Sequence, residues 1–141
     1  MPADRVLDLD GIHNFRDYGG YASRFGGHIK RGFLWRSAQH RDASDADLAH
    51  IQPIGFGSVI DLRGESERAE NPCRRHDDFS AQVLFGPGET SGTASAPHIA
   101  AAAGMQAGAD GAAALRHAYA EMPWRENLVI AFRHYFDAVE R

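Results

Sequence analysis

The chain has 141 residues, a formal net charge of -4, 43% hydrophobic residues and 24% charged residues. That composition fits one ordinary globular domain, excludes a disordered or fibrous chain, and gives no global electrostatic reason to expect nucleic acid or an anionic membrane as the main partner. No apolar run approaches the roughly 20 residues of a membrane helix, and one cysteine, Cys73, rules out an internal disulfide framework.

Met1 to Asp10 mixes charged and apolar residues without a signal-peptide core. The expectation is a cytoplasmic protein, with an export signal outside this sequence as the alternative. Residues 11–21, Gly-Ile-His-Asn-Phe-Arg-Asp-Tyr-Gly-Gly-Tyr, read as an irregular segment closed by a turn at Gly19-Gly20. After a second turn at Gly26-Gly27, His28 to Arg36 has strand character, with Phe33 and Trp35 on one face and Leu34 and Arg36 on the other. Ser44 opens a helix. Asp47, three residues later, makes a weak capping box, Asp45 and Asp47 suit the positive end of the helix dipole, and Pro53 marks the exit.

Gly57 to Leu62 is the strongest strand pattern, ending in Asp61-Leu62-Arg63-Gly64; a short polar helix from Glu65 to Glu70 should follow and stop before Pro72. Gln82 to Phe85 reads as another strand. The alternation predicts an α/β domain with a mostly parallel sheet flanked by helices. From Gly86 to Gly111 the chain turns to Gly, Ala, Ser, Thr and Pro, which fits either a mobile surface loop or a lid over a site. The spacing of Leu128, Phe132, Tyr135, Phe136 and Val139 predicts a helix over 124–140, with Pro123 in its first turn.

The residues that could carry chemistry are few. The eight histidines form no His-x-x-x-His pair and no His-Glu-x-x-His motif, so no metal site is expected. Cys73 lies in Pro-Cys-Arg-Arg-His, whose cations could lower a thiol pKa. No strand runs into it and no glycine-bearing turn follows, so it reads as an incidental cysteine in a polar loop. Asp61 and Arg63 end a strand on one face, at the sheet edge where open α/β folds bind ligands; a salt-bridged pair that merely holds a loop is the plain alternative.

Three blocks carry a resemblance: Ile12-His-Asn-Phe-Arg-Asp-Tyr-Gly-Gly-Tyr21, Arg31-Gly-Phe-Leu-Trp-Arg-Ser37, and Val59-Ile-Asp-Leu-Arg63 with Glu67-Arg68 after it. In order and spacing they resemble the bacterial tyrosine-phosphatase family that includes mycobacterial protein tyrosine phosphatase B and related lipid phosphatases. Ser95 to His98 and Tyr119 to Arg125 resemble that family's lid and the helix after it. The resemblance implies an enzyme that hydrolyses phosphotyrosine, with dual-specificity and phosphoinositide substrates as extensions, through a cysteinyl-phosphate intermediate and without a cofactor. Its implied partners are a phosphorylated protein or phospholipid substrate, and neither nucleic acid nor a membrane span. It also implies roles at matching positions: Asp61 as the first candidate for the general acid and Glu89, in Gly-Pro-Gly-Glu, as the second. Arg63, Asn14, Arg16, Asp17, Arg36 and Ser37 would bind substrate or shape the site.

Family members carry, further on, a motif of the form His-Cys-x-x-Gly-Lys-Asp-Arg-Thr-Gly, and no position here matches it. A thiolate held at a helix N-terminus, with an arginine clamping the phosphate oxygens, is the core of that chemistry. The chain therefore reads as the N-terminal portion of a single phosphatase-like domain, inactive alone. The remainder of the protein or a second copy would complete it, and residues 1–141 alone are not expected to form a stable monomer. A short non-catalytic interaction module and a metal-dependent hydrolase are the rival readings.

Overall fold

A computed structural model describes residues 5–90, 116–117 and 119–141. The chain forms two compact units, Met1–Phe56 with Pro72–Phe79 and Gly57–Asn71 with Ser80–Arg141. Most of the segment from Gly86 to Gly111, expected to be a loop or lid, lies outside the described residues, as do Ser95 to His98.

The first unit is built around an irregular N-terminal segment. Strand β1 (Arg16–Asp17) pairs antiparallel with β2 (Trp35–Arg36), Arg16 opposite Arg36. The strand expected over His28–Arg36 is thus mostly absent. His28 makes only an isolated bridge to Ala22, and a turn at Arg31–Phe33 intervenes, with Gly32 at φ +72, a left-handed conformation that a strand cannot include. Helix α1 (Asp45–Ile51) starts where the sequence placed it: Ser44 accepts from the Asp47 N–H and the Asp47 side chain accepts from the Ser44 N–H, a complete capping box. Pro53 does not end the helix abruptly; the chain tightens into a 3-10 turn, Gln52–Ile54, and leaves through left-handed Gly55. Ile12, Phe15, Ala43, Leu48 and Ile51 form the buried core, with Trp35 and Phe56 packed against it. Phe15 is its centre, 5.4 Å from the Trp35 ring and 6.3 Å from that of Phe56.

The second unit carries the parallel pairing. Strand β3 (Ser58–Asp61) pairs in register with β4 (Gln82–Phe85), Asp61 opposite Phe85. Helix α2 (Glu65–Glu70) follows β3 with the expected bounds. The last helix, α3 (Glu126–Val139), starts after a 3-10 turn at Met122–Trp124 that contains Pro123. α3 packs against both strands. Leu128 and Ala131, at the front of its stripe, are buried, but Phe136 is 62% exposed. Val83 and Phe85, two residues apart and hence on one face of β4, are also exposed. Among the described residues the expected mostly parallel sheet is therefore present as one two-stranded parallel pair, and the first unit has its own antiparallel pair. Among the described residues no helix is long and apolar enough to cross a membrane.

Candidate functional site

A parallel strand followed by a tight turn and a helix delivers whatever follows the strand to its carboxyl edge. Here that segment is Asp61-Leu62-Arg63-Gly64, and it is closed on itself. Arg63 lays its guanidinium along the Asp61 carboxylate, with Nε 2.9 Å from Oδ1 and Nη2 2.7 Å from Oδ2, and the Arg63 backbone N–H donates to the same carboxylate at 3.1 Å. Nη1 of Arg63 donates to the Asn71 carbonyl at 2.8 Å, tying the strand end to the exit of α2. Arg68, on α2, donates to the Arg63 carbonyl. The Asp61 and Arg63 side chains are only 11% and 14% exposed. Burial pushes the Asp61 carboxyl up, but the hydrogen bonds and charge of Arg63, helped by Arg68, outweigh it and hold the group below the usual carboxylate range.

Glu89 comes to the same end of the unit, from the loop after β4. Its Oε1 accepts from the Ser66 backbone N–H at 2.8 Å and from the Ser66 hydroxyl at 2.5 Å, so it caps the first turn of α2. Those two bonds, hydroxyl first, hold its pKa below the ordinary value against a smaller opposing effect of desolvation, with Arg68 adding to the lowering. In return, Glu65 accepts from the Gly88 N–H at 2.9 Å. The approach needs Gly64: a Cβ there would lie 2.3 Å from Glu89 Oε2 and 3.1 Å from the Thr90 nitrogen. Two α3-end residues fasten the far side of the loop, Asn127 donating to the Glu89 carbonyl at 2.7 Å and Arg125 to the Thr90 carbonyl at 2.5 Å.

The remaining candidates belong to the first unit. Asn14 is a non-glycine residue at φ +58, and its carbonyl accepts from Arg16 at 3.0 Å. Asp17 is buried and ties two turns together, accepting from the Gly19 N–H at 2.7 Å and the Gly32 N–H at 2.8 Å. Arg36 reaches the Tyr18 hydroxyl at 3.3 Å. Ser37 sits 2.9 Å from His40 Nε2, while the His40 backbone N–H approaches the Cys73 sulfur at 3.4 Å. Among the described residues, no group of three or more His, Cys, Asp or Glu side chains could hold a metal ion.

Sequence reasoning missed the reach of Asp47. Besides capping α1, its carboxylate accepts from the Asp10 and Gly11 N–H groups at 2.9 and 2.8 Å. The Ser44 backbone bond, outweighing the opposing desolvation together with the bonds from Gly11 and Asp10, lowers its pKa to about 2. The capping-box pattern was a signal for the local bonds only. Likewise nothing local announced Arg74, which bonds the Ala43 carbonyl and Asp45, both at 2.5 Å.

The carboxyl edge of β3 thus carries an Asp-Arg lock, with an acid-bearing loop pinned beside it. Residues 7–141 match the tyrosine phosphatase family, and the chain belongs to that family. It is also similar to a Cupriavidus necator protein named "Putative tyrosine-protein phosphatase", with 40% identity over 83 residues, covering 57% of this chain and 30% of that relative. The chain thus matches less than a third of that relative's length.

Proposed function

We propose that the complete protein hydrolyses phosphate monoesters, phosphotyrosine first, with phosphoserine, phosphothreonine and phosphoinositides as further substrates. The nucleophile is a cysteine thiolate that forms a cysteinyl-phosphate intermediate. The segment bearing it comes from further polypeptide or a second copy, and both units described above are parts of one catalytic domain. The observation that carries this reading is the closed Asp61–Arg63 pair at the carboxyl edge of β3, in a chain of the tyrosine phosphatase family.

Asp61 is the first candidate for the group that protonates the leaving oxygen, and Glu89 the second. At rest both carboxyls are ionised, so neither can donate. A phosphate dianion arriving beside either one raises its pKa, since a neighbouring like charge disfavours the carboxylate. Arg63 is shared between Asp61 and the incoming oxygens. Asn14 and Asp17 shape the backbone, and Arg16, Arg36 and Ser37 line or support the substrate path.

Leaving groups of different basicity separate the roles. General acid catalysis contributes about 10²–10⁴-fold, and it matters only where the departing oxygen needs a proton. Asp61→Asn should slow phenyl phosphate hydrolysis within that range and spare an aryl phosphate with a strongly acidic phenol, while Glu89→Gln slows both slightly and equally. A selective loss in Glu89→Gln would transfer the role to Glu89. Equal losses for both substrates in both variants would favour the plainer reading that these closed contacts merely hold a loop, as in a non-catalytic interaction module.

A further inference from the structure

The chain's net negative charge conceals a local reversal. Between Asp17 and Asp42 there is no acidic residue, while Arg24, Lys30, Arg31, Arg36 and Arg41 all fall in that interval. Much of it folds as an irregular hairpin in the first unit. The Gly20 N–H bonds the Ile29 carbonyl at 2.7 Å, the Ile29 N–H bonds the Tyr21 carbonyl at 2.9 Å, and Ser23 N–H bonds the Gly27 carbonyl at 3.0 Å. Every residue from Tyr21 to Phe33 except Ser23 is exposed. At and beside the tip this exposure includes large apolar side chains: Phe25 is 83% exposed, Phe33 54% and Ile29 41%. Cβ positions built on Gly26, Gly27 and Gly32 meet nothing within 4 Å, so the turn projects into open space. Asp17, the acid at the hairpin's base, is buried and turned onto the Gly19 and Gly32 N–H groups.

We propose that this hairpin docks the protein on a bilayer bearing anionic headgroups, with Phe25 and Phe33 entering the interfacial layer and Arg24, Lys30 and Arg31 meeting the lipid phosphates. Apolar rings flanked by long cationic side chains are the pattern of interfacial anchors, since the stems accompany the rings while the charged ends stay at headgroup depth. A narrow projecting tip enters a fluid layer, whereas it offers little area to a flat protein face. Nucleic acid is the weaker match because base stacking needs a free ring face. Arg24 already lies over the Phe25 ring at 4.7 Å, and Lys30 lies 5.6 Å from the centre of the Phe33 ring.

The test is co-sedimentation of the protein at its natural length with phosphatidylcholine vesicles, with and without phosphatidylserine. Binding should require phosphatidylserine and weaken with salt. At about five-fold per cation near the surface, Arg24→Ala with Lys30→Ala should weaken binding by about twenty-fold. Phe25→Ser should weaken it by about ten-fold, the lower end of what burying such a ring contributes. Because these side chains are exposed, the variants should melt like the parent, which separates loss of docking from loss of fold; Lys30→Glu serves as an independent charge variant. Equal binding to neutral vesicles, no vesicle binding at all, or full binding by folded variants would overturn the proposal. So would binding of a single-stranded oligonucleotide without vesicle binding, which would assign the patch to nucleic acid.

Discussion

Arg63→Met should be among the most destabilising single changes in the second unit. The guanidinium contacts both oxygens of a carboxylate that is 11% exposed, and it also closes the α2 exit through the Asn71 carbonyl. Breaking a buried pair by removing one partner costs about 3–5 kcal/mol, because the other charge is left behind. Both side chains keep some contact with water, so screening places the expected loss toward the lower end, about 3 kcal/mol. That is a large part of the about 5–15 kcal/mol that a domain holds in total. Urea unfolding of the natural-length protein, with Arg63→Met, Asp61→Asn and the double variant, closes the cycle. The double variant should cost less than the sum of the singles. The pH dependence has a defined sign. The folded Asp61 pKa lies below its ordinary value of 3.8, so the pair's contribution is complete above that value and is lost as pH falls through the folded pKa. Without Arg63, burial is left to push the Asp61 carboxyl up, so the penalty of Arg63→Met should shrink on acidification as that carboxyl takes up its proton. A loss under about 1 kcal/mol with no coupling, the behaviour of an exposed ion pair, would refute the assignment of a buried lock.

Two further outcomes concern stability and assembly. Ser44→Ala removes the hydroxyl that caps α1 and should cost about 0.5–2 kcal/mol in the same unfolding assay; an unchanged midpoint would show that the Asp47 bonds to Asp10, Gly11 and Ser44 hold that corner unaided. Residues 1–141 expressed alone should self-associate or melt without cooperativity, because Phe85, Phe136 and Val139 are exposed and β3 has β4 as its one paired strand among the described residues. A monomeric mass with a sharp melt would refute that and support the interaction-module reading.

Local chemistry alone determined a good share of this protein. The capping box of α1 is readable because Ser44 and Asp47 are three residues apart, the distance over which both bonds form. β3, α2 and β4 are readable because β-branched alternation, a polar turn and Pro72 act over a few residues. The family blocks, too, are contiguous strings. The tertiary structure decided what depends on distant partners. It broke the expected strand at Gly32, where Asp17 accepts the glycine N–H from fifteen residues away, a competition that strand periodicity does not register. It turned Glu89 onto Ser66, twenty-three residues away, and Asp47 onto Asp10, thirty-seven away, because a carboxylate takes whichever N–H groups the chain brings near. It also gathered Arg24, Phe25, Lys30 and Phe33 on one projecting hairpin, where a sum of charges over the whole sequence had hidden them. Spacing governs helix and strand, whereas the state of a carboxylate or an arginine follows from what the fold places within hydrogen-bond reach.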